Sequence, residues 1–588
     1  MSLSHYFLDE LVFLRQKGRE FSAVHPELSR FLSEHNSDPD VERLLEGFAF
    51  LTGKLRAKIE DEFPELTHDL LAMLWPNYLR PVPSMTIIQF SVVNSALTRP
   101  TLISRGCQLD SLPIDGVSCH FRTCYDAWIY PARAGNVQSG SDNDHFSITL
   151  PIDLHVPLSL GELQLDKLRF FLGGDQHNAY ELYFWLANRL AFIELEVEDI
   201  RYRQPASMLK PVGFERDDAI LPYPSNVYSG YRILQEYFCF PESFLFFELS
   251  EGSWPQQLKK ISQFKLHFHF AHPMPVSLKI RDDSLMLNCV PAINLFSHDS
   301  EPINLTGQKT DYPLRCSNSH TQSVEIFSVD QVDGWIEELT GRTRGMLRIY
   351  QPFESFQHQI ERTQQRQALY YRLRVRENML GNGFDHGISF VRGDETQVID
   401  LDESISVRLT CTNRDLAARL KVGEICVPTG NSPSFASFRN LTRPTQSLRP
   451  VLDASLHWTL ISNLSLNYLS ILQRDAVVQI LRVYDFPALH DKQSELASRK
   501  RLAGIESIES QPIDRLMRGM PVRGIKTVLS VYGSAFGGDG QLYLFSSVLA
   551  NFFSLYASVN SFHLLEVVNL DNKERYTWPA QLGQHSLM

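Results

Sequence analysis

Residues 38–93 leave the chain little conformational choice. Asp38-Pro39 is a helix start: the acid accepts backbone N–H bonds and the proline fits the first turn. Val41, Leu44, Leu45, Phe48, Leu51, Leu55 and Ile59 then recur at steps of three and four along one helical face. Glu42, Arg43, Glu46, Lys54, Arg56 and Lys58 occupy the other side. A second helix is expected from about Thr67, aligning Leu70, Leu71, Leu74 and Trp75. Pro76, Pro81 and Pro83 end helical structure, because proline lacks the N–H and disfavours helix at the residue before it. Alternation over 86–93 predicts a strand. The apolar stripe has two readings, a helical hairpin packed on its own domain or a face offered to another protein. Periodicity does not separate them.

Residues 4–33 read as one long amphipathic helix, or two joined near Gly18 or Pro26, which makes 1–83 an N-terminal helical module. Beyond it the pattern changes to short β-type runs, expected at 120–130, 146–150, 167–172, 264–270, 324–330 and 405–409. The polar run 135–144 is expected as an exposed loop, and 428–450, rich in Pro, Ser and Arg, as an extended linker and hinge. Helical stripes return at 458–472 and 478–484. A strand is expected at 524–532, a tight turn at 537–540, a helix over 541–558 and a strand at 564–568. The fold class is therefore α+β: the helical module (1–83), a β-rich domain (84–310), a second β-rich domain ending in the linker (311–450) and a C-terminal α+β domain (451–588). A chain of 588 residues is too long for a single core.

With 68 acidic against 56 basic residues, the chain has no broad basic stripe for nucleic acid. The N-terminus lacks the uninterrupted apolar run of a signal peptide, and no run of eighteen apolar residues suits a transmembrane helix. Eight scattered cysteines without a CxxC pair predict reduced thiols rather than a zinc site or a disulfide framework. His267 and His269 share a strand face, but a half-exposed strand explains them better than a metal site. Metalloprotease, P-loop and nucleophile-elbow motifs are absent. Asp61, Glu62 and Glu65 fit acids at a helix junction; Arg414 and Asp415 fit a local ion pair, with Asn413 and Asp415 as helix caps. No catalytic, cofactor-binding or metal residue is assigned. Arg232 and Glu236 are spaced for an intrahelical pair.

The run DPDVERLLEGFAFLTGKLRAKIEDEFPELTHDLLAMLWPNYLRPVPSM, residues 38–85, resembles the N-terminal signature of the TssF (VasA/ImpG) family of type VI secretion baseplate proteins. Residues 230–242, 287–296, 410–420 and 553–562 carry further matches in family order, and Leu441-Thr442-Arg443-Pro444-Thr445 adds to them. Trp75 and Asn77 stand where the family often has Tyr and His. The resemblance implies a structural wedge subunit without catalytic chemistry. Its implied partners are a TssG-like chain embraced by two copies of this one, TssK-like and TssE-like subunits, neighbouring wedges and a VgrG hub. It also implies a cytoplasmic baseplate that meets the inner membrane only through other components. The residues expected at the partner face are Val41, Leu44, Leu45, Phe48, Leu51, Leu55 and Trp75.

Overall fold

The computed structural model describes residues 7, 10–17, 43–44, 46–52 and 64–583, apart from 94–96, 143–144, 224–229, 251–253, 255–258, 276, 306–308, 318–322, 337–345, 354–368, 379–382, 393–402, 453, 465–472, 518 and 559–560. The architecture is mixed α+β, with helices packed around several mainly antiparallel sheets. The principal helices are α1 (Pro64–Leu74), α2 (Gln176–Phe184), α3 (Gly230–Cys239), α4 (Ala454–Leu464), α5 (Arg474–Tyr484), α6 (Phe486–His490), α7 (Lys492–Ala503) and α8 (Asp539–Tyr556).

A six-stranded antiparallel sheet holds together regions far apart in sequence. Its spatial order is Ile425–Pro428, Gln108–Ser111, His120–Thr123, Cys289–Ile293, Met85–Val92 and Ala436–Asn440. The expected linker at 428–450 is thus corrected: Ala436–Asn440 is an edge strand, with Phe438 opposite Phe90. The following residues stay fastened to the same strand. Thr86 Oγ1 donates to the Thr442 carbonyl at 2.8 Å, the Met85 N–H donates to Thr445 Oγ1 at 3.0 Å, and the Val82 and Leu448 backbones exchange hydrogen bonds. Prolines at 444 and 450 interrupt pairing without freeing the segment.

Between Cys289–Ile293 and Ile425–Pro428 the chain builds an eight-stranded sheet with its own apolar core. Phe296–Asp299 and Ile303–Leu305 pair with Glu403–Thr412, so strands on both sides of residue 310 share one sheet. Val332, Ile405, Val407 and Leu409 are fully buried there. The polar run expected as a loop at 135–144 also forms structure: Gln138–Asp142 pairs in register with residues 145–149.

The C-terminal part follows its sequence signals closely. Asp491 caps α7 by accepting from the Ser494 N–H at 2.9 Å, and Pro487 sits in the first turn of α6. Gly537 and Gly538 take φ of 82° and 156°, which turns the chain into α8. Gly540 lies so close to the Tyr180 backbone of α2 that a β-carbon would come within 2.4 Å of it. That absence of a side chain lets α8 pack across α2 and α3 onto the strand Phe562–Asn569.

One buried group in this region predicts a pH response. His563 is 2% exposed, and its Nε2 lies 2.9 Å from Thr527 Oγ1. Burial lowers its pKa to about 3. An unfolded histidine protonates near 6.5, so below that pH the unfolded chain binds more protons and stability falls. The loss is expected at about 1.4 kcal/mol per pH unit, levelling off near pH 3. In urea titrations at pH 7 and pH 5, His563→Gln should lose about 2 kcal/mol less than the parent chain between the two conditions. Equal losses would show that His563 does not carry this slope.

Candidate partner interface

Three of the residues expected to face a partner are exposed in the structure: Leu44 at 72%, Phe48 at 57% and Leu51 at 60%. They follow each other at steps of four and three on the helical residues 43–44 and 46–52, so one helical face presents all three. Ala49, on the other side, is fully buried. Val41, Leu45 and Leu55 lie outside the described residues. The helical residues 10–17 repeat the pattern, with Leu11 buried and Val12 and Phe13 more than half exposed. Exposed residues of this size in neighbouring positions are what an assembly surface supplies.

Trp75 is the correction to this set, for its indole is completely buried within the chain itself. It closes α1 just before Pro76 and drops between three tyrosines. Its ring centroid is 5.5 Å from Tyr223, 5.5 Å from Tyr231 and 5.8 Å from Tyr484, edge-on to each. Tyr231 and Tyr484 stack at 4.6 Å, and Tyr78 meets Phe486 at 5.4 Å. Since Tyr231 lies on α3 and Tyr484 on α5, Trp75 ties three distant parts of the chain together. The helical region before residue 83 is therefore divided: α1 packs against α4 in the main body, while Leu44, Phe48 and Leu51 are exposed.

Directly behind this aromatic hub sits the expected Arg232–Glu236 pair, at 3.0 Å. Both side chains are buried, at 3% and 1% exposure. Arg232 Nη2 also donates to the carbonyls of Phe214 and Glu215, and Glu236 Oε1 accepts from the backbone N–H groups of Ile220 and Leu221. Burial pushes the Glu236 carboxyl up, and Arg232 and these two N–H groups pull it back. The pair thereby clamps the loop 214–221 onto α3.

His267 and His269 are buried rather than half-exposed, at 7% and 6%. Their Nε2 atoms lie 3.1 Å from Glu196 and 3.2 Å from Glu194, on the adjacent strand Leu190–Val197. Glu196 also takes Lys265 at 2.7 Å and Arg201 at 3.0 Å, and the Lys265 hydrogen bond holds its carboxyl below the usual range. Burial lowers both histidines. These carboxylates are committed to cations of the sheet, which makes the array a cross-strand ladder. Among the described residues no group of three or more His, Cys, Asp or Glu is placed to hold a metal.

The neck of the eight-stranded insertion is held by two asparagines. Asn294 Nδ2 donates to Asn413 Oδ1 at 2.8 Å, and the Asn413 N–H donates to Asn294 Oδ1 at 2.7 Å. The His120 N–H adds a second bond to Asn413 Oδ1 at 3.0 Å. Asn413 was expected to cap the helix Arg414–Arg419 with its side chain; it spends that side chain across the neck instead. Asp415 pairs with Arg449 at 3.7 Å.

The model of the family described as "Type VI secretion system, TssF" matches residues 1–585. The chain belongs to the TssF family. It is 27% identical to the type VI secretion system component TssF1 of Pseudomonas aeruginosa, over 99% of this chain and 98% of that protein. In structure it resembles a chain of the type VI secretion system TssK-TssF-TssG baseplate subcomplex, with a TM-score of 0.76 at 28% identity, covering 92% of this chain and 98% of that one. A chain from the type VI secretion baseplate complex gives 0.68 at 26% identity over the full length of both. The family contributes a structural component to the baseplate of this secretion system.

Proposed function

We propose that this chain is a wedge subunit of a type VI secretion baseplate and works by assembly rather than catalysis. In this reading two copies embrace one TssG-like chain, TssK-like and TssE-like subunits join them, and the wedges surround a VgrG-like hub. The completed baseplate docks at the cytoplasmic face of the inner membrane through other components. Among the described residues no helix is long and apolar enough to cross a membrane. The observation that carries the reading is the near-complete overlap with a chain of the TssK-TssF-TssG subcomplex.

In the same reading the parts of the chain divide the work. Leu44, Phe48 and Leu51 form the partner-binding face, and the periodicity of the sequence adds Val41, Leu45 and Leu55 to it. The β-rich body and its eight-stranded insertion act as spacer and arm. The C-terminal α+β part supplies contacts between copies or wedges. Co-expression with the neighbouring TssG-like chain, followed by mass determination of the purified complex, tests the reading. A stable assembly of two copies to one is expected. A monodisperse monomer that ignores the TssG-like chain would overturn it.

A further inference from the structure

Two of the eight cysteines come into contact beside the asparagine neck. Cys316 and Cys411 are 95 residues apart in sequence, yet their sulfur atoms are 3.6 Å apart. Cys411 lies at the end of Glu403–Thr412, opposite Phe296 and Ile326, and is completely buried. Cys316 bridges to Ser300 and is 8% exposed. It borders an open cleft of about 370 Å³ between the insertion and the six-stranded sheet, whose walls include Asp110, His120, Phe296, His298 and Asn413. The two thiols therefore differ in access: a small solute entering the cleft meets Cys316, and Cys411 stands behind it.

We infer that Cys316 and Cys411 form a peroxide-sensitive dithiol, with Cys316 as the attacking sulfur and Cys411 as the resolving one, whose disulfide braces the neck of the insertion. The oxidant is hydrogen peroxide or an alkyl hydroperoxide. The Cys316 sulfur attacks one peroxide oxygen, the O–O bond breaks, and the leaving oxygen departs as water (or alcohol) with the Cys316 proton. Cys316 is left as a sulfenic acid. The Cys411 sulfur then attacks the Cys316 sulfur, the S–O bond breaks, and a second water carries off the Cys411 proton. The two sulfurs lose two electrons together and the peroxide gains two.

The asymmetry of roles follows from access: Cys316 borders the cleft, and Cys411 is completely buried behind it. Disulfide geometry requires the sulfurs to close to about 2.05 Å, a movement that side-chain rotation about χ1 can contribute. The product would join residues 300–316 to a strand that runs directly into Asn413. It would add a covalent tie where Asn294 and Asn413 now hold the neck by hydrogen bonds alone.

The test uses the purified full-length chain, treated with hydrogen peroxide or kept reduced. Free thiols are then blocked with N-ethylmaleimide and the protein is digested without reductant for mass spectrometry. A linked peptide containing Cys316 and Cys411 is expected in the oxidised sample, with the remaining six cysteines alkylated. In Cys411→Ser, dimedone should trap a sulfenic acid at Cys316, since nothing resolves it. In Cys316→Ser, Cys411 should remain an alkylatable thiol after unfolding. The proposal fails if peroxide leaves both thiols alkylatable, or if Cys316 proceeds to sulfinic acid in the parent chain without a linked peptide. Sulfenic acid appearing first at Cys411 would also overturn the assignment.

Discussion

Arg232→Ala is expected to destabilise the chain by about 3–5 kcal/mol, because it strands a buried carboxylate. The magnitude follows from what Arg232 touches. Its guanidinium lies 3.0 Å from Glu236 and also satisfies the carbonyls of Phe214 and Glu215. After truncation, Glu236 keeps the N–H groups of Ile220 and Leu221 but loses its counter-charge in a site with 1% exposure. Glu236→Leu should destabilise for a different reason, leaving those two N–H groups without an acceptor and the guanidinium without its counter-charge. The double variant Arg232→Ala, Glu236→Leu removes both charges but still strands the N–H groups of Ile220 and Leu221 and the carbonyls of Phe214 and Glu215. Its loss should therefore be smaller than the sum of the single losses. Urea titrations of the four proteins give the coupling directly. Strictly additive losses would mean that the two residues act independently, contrary to the clamp described for the loop 214–221.

The sequence revealed local devices better than long-range ones. The spacing of Arg232 and Glu236, the glycines before α8 and the aromatics of 230–247 all speak through neighbours three or four residues away. The helix and strand expected at 541–558 and 564–568 also form, as α8 and Phe562–Asn569. The role of 436–440 could not be read in this way. Its partner, Met85–Val92, lies about 350 residues earlier, and proline-rich flanks look the same whether a segment crosses solvent or fastens a sheet. Likewise, alternation placed His267 and His269 on one face but gave no sign that Glu194, Glu196 and Arg201 would gather over it. The neck asparagines were hidden for the same reason: Asn294 and Asn413 acquire their meaning only when the insertion closes on itself.

The candidate interface divides along the same line, and the division yields a sharp expected result. Changing Leu44 and Phe48 together to aspartate should abolish co-purification with the TssG-like chain while leaving the stability of this chain alone within about 1 kcal/mol. Their exposures of 72% and 57% mean that little apolar area is lost from the chain's own packing. If a partner covers them, each contributes roughly 1.5–3 kcal/mol of apolar burial to association, and an uncompensated carboxylate opposes docking further. The combined loss corresponds to an affinity reduced by about a thousandfold or more. Trp75→Ala supplies the contrast, because its indole fills the hub between α1, α3 and α5. Removing it should cost about 3–5 kcal/mol of stability. Partner binding would then weaken only as the chain itself loses structure. Pull-down yield and melting temperature, measured on the same preparations, separate the two effects. A Leu44→Asp, Phe48→Asp chain that melts like the parent and still co-purifies would remove residues 44–51 from the interface. Loss of binding at an unchanged melting temperature would identify this face as the one the partner covers, since Trp75, the one other described residue of the expected set, is turned into the core.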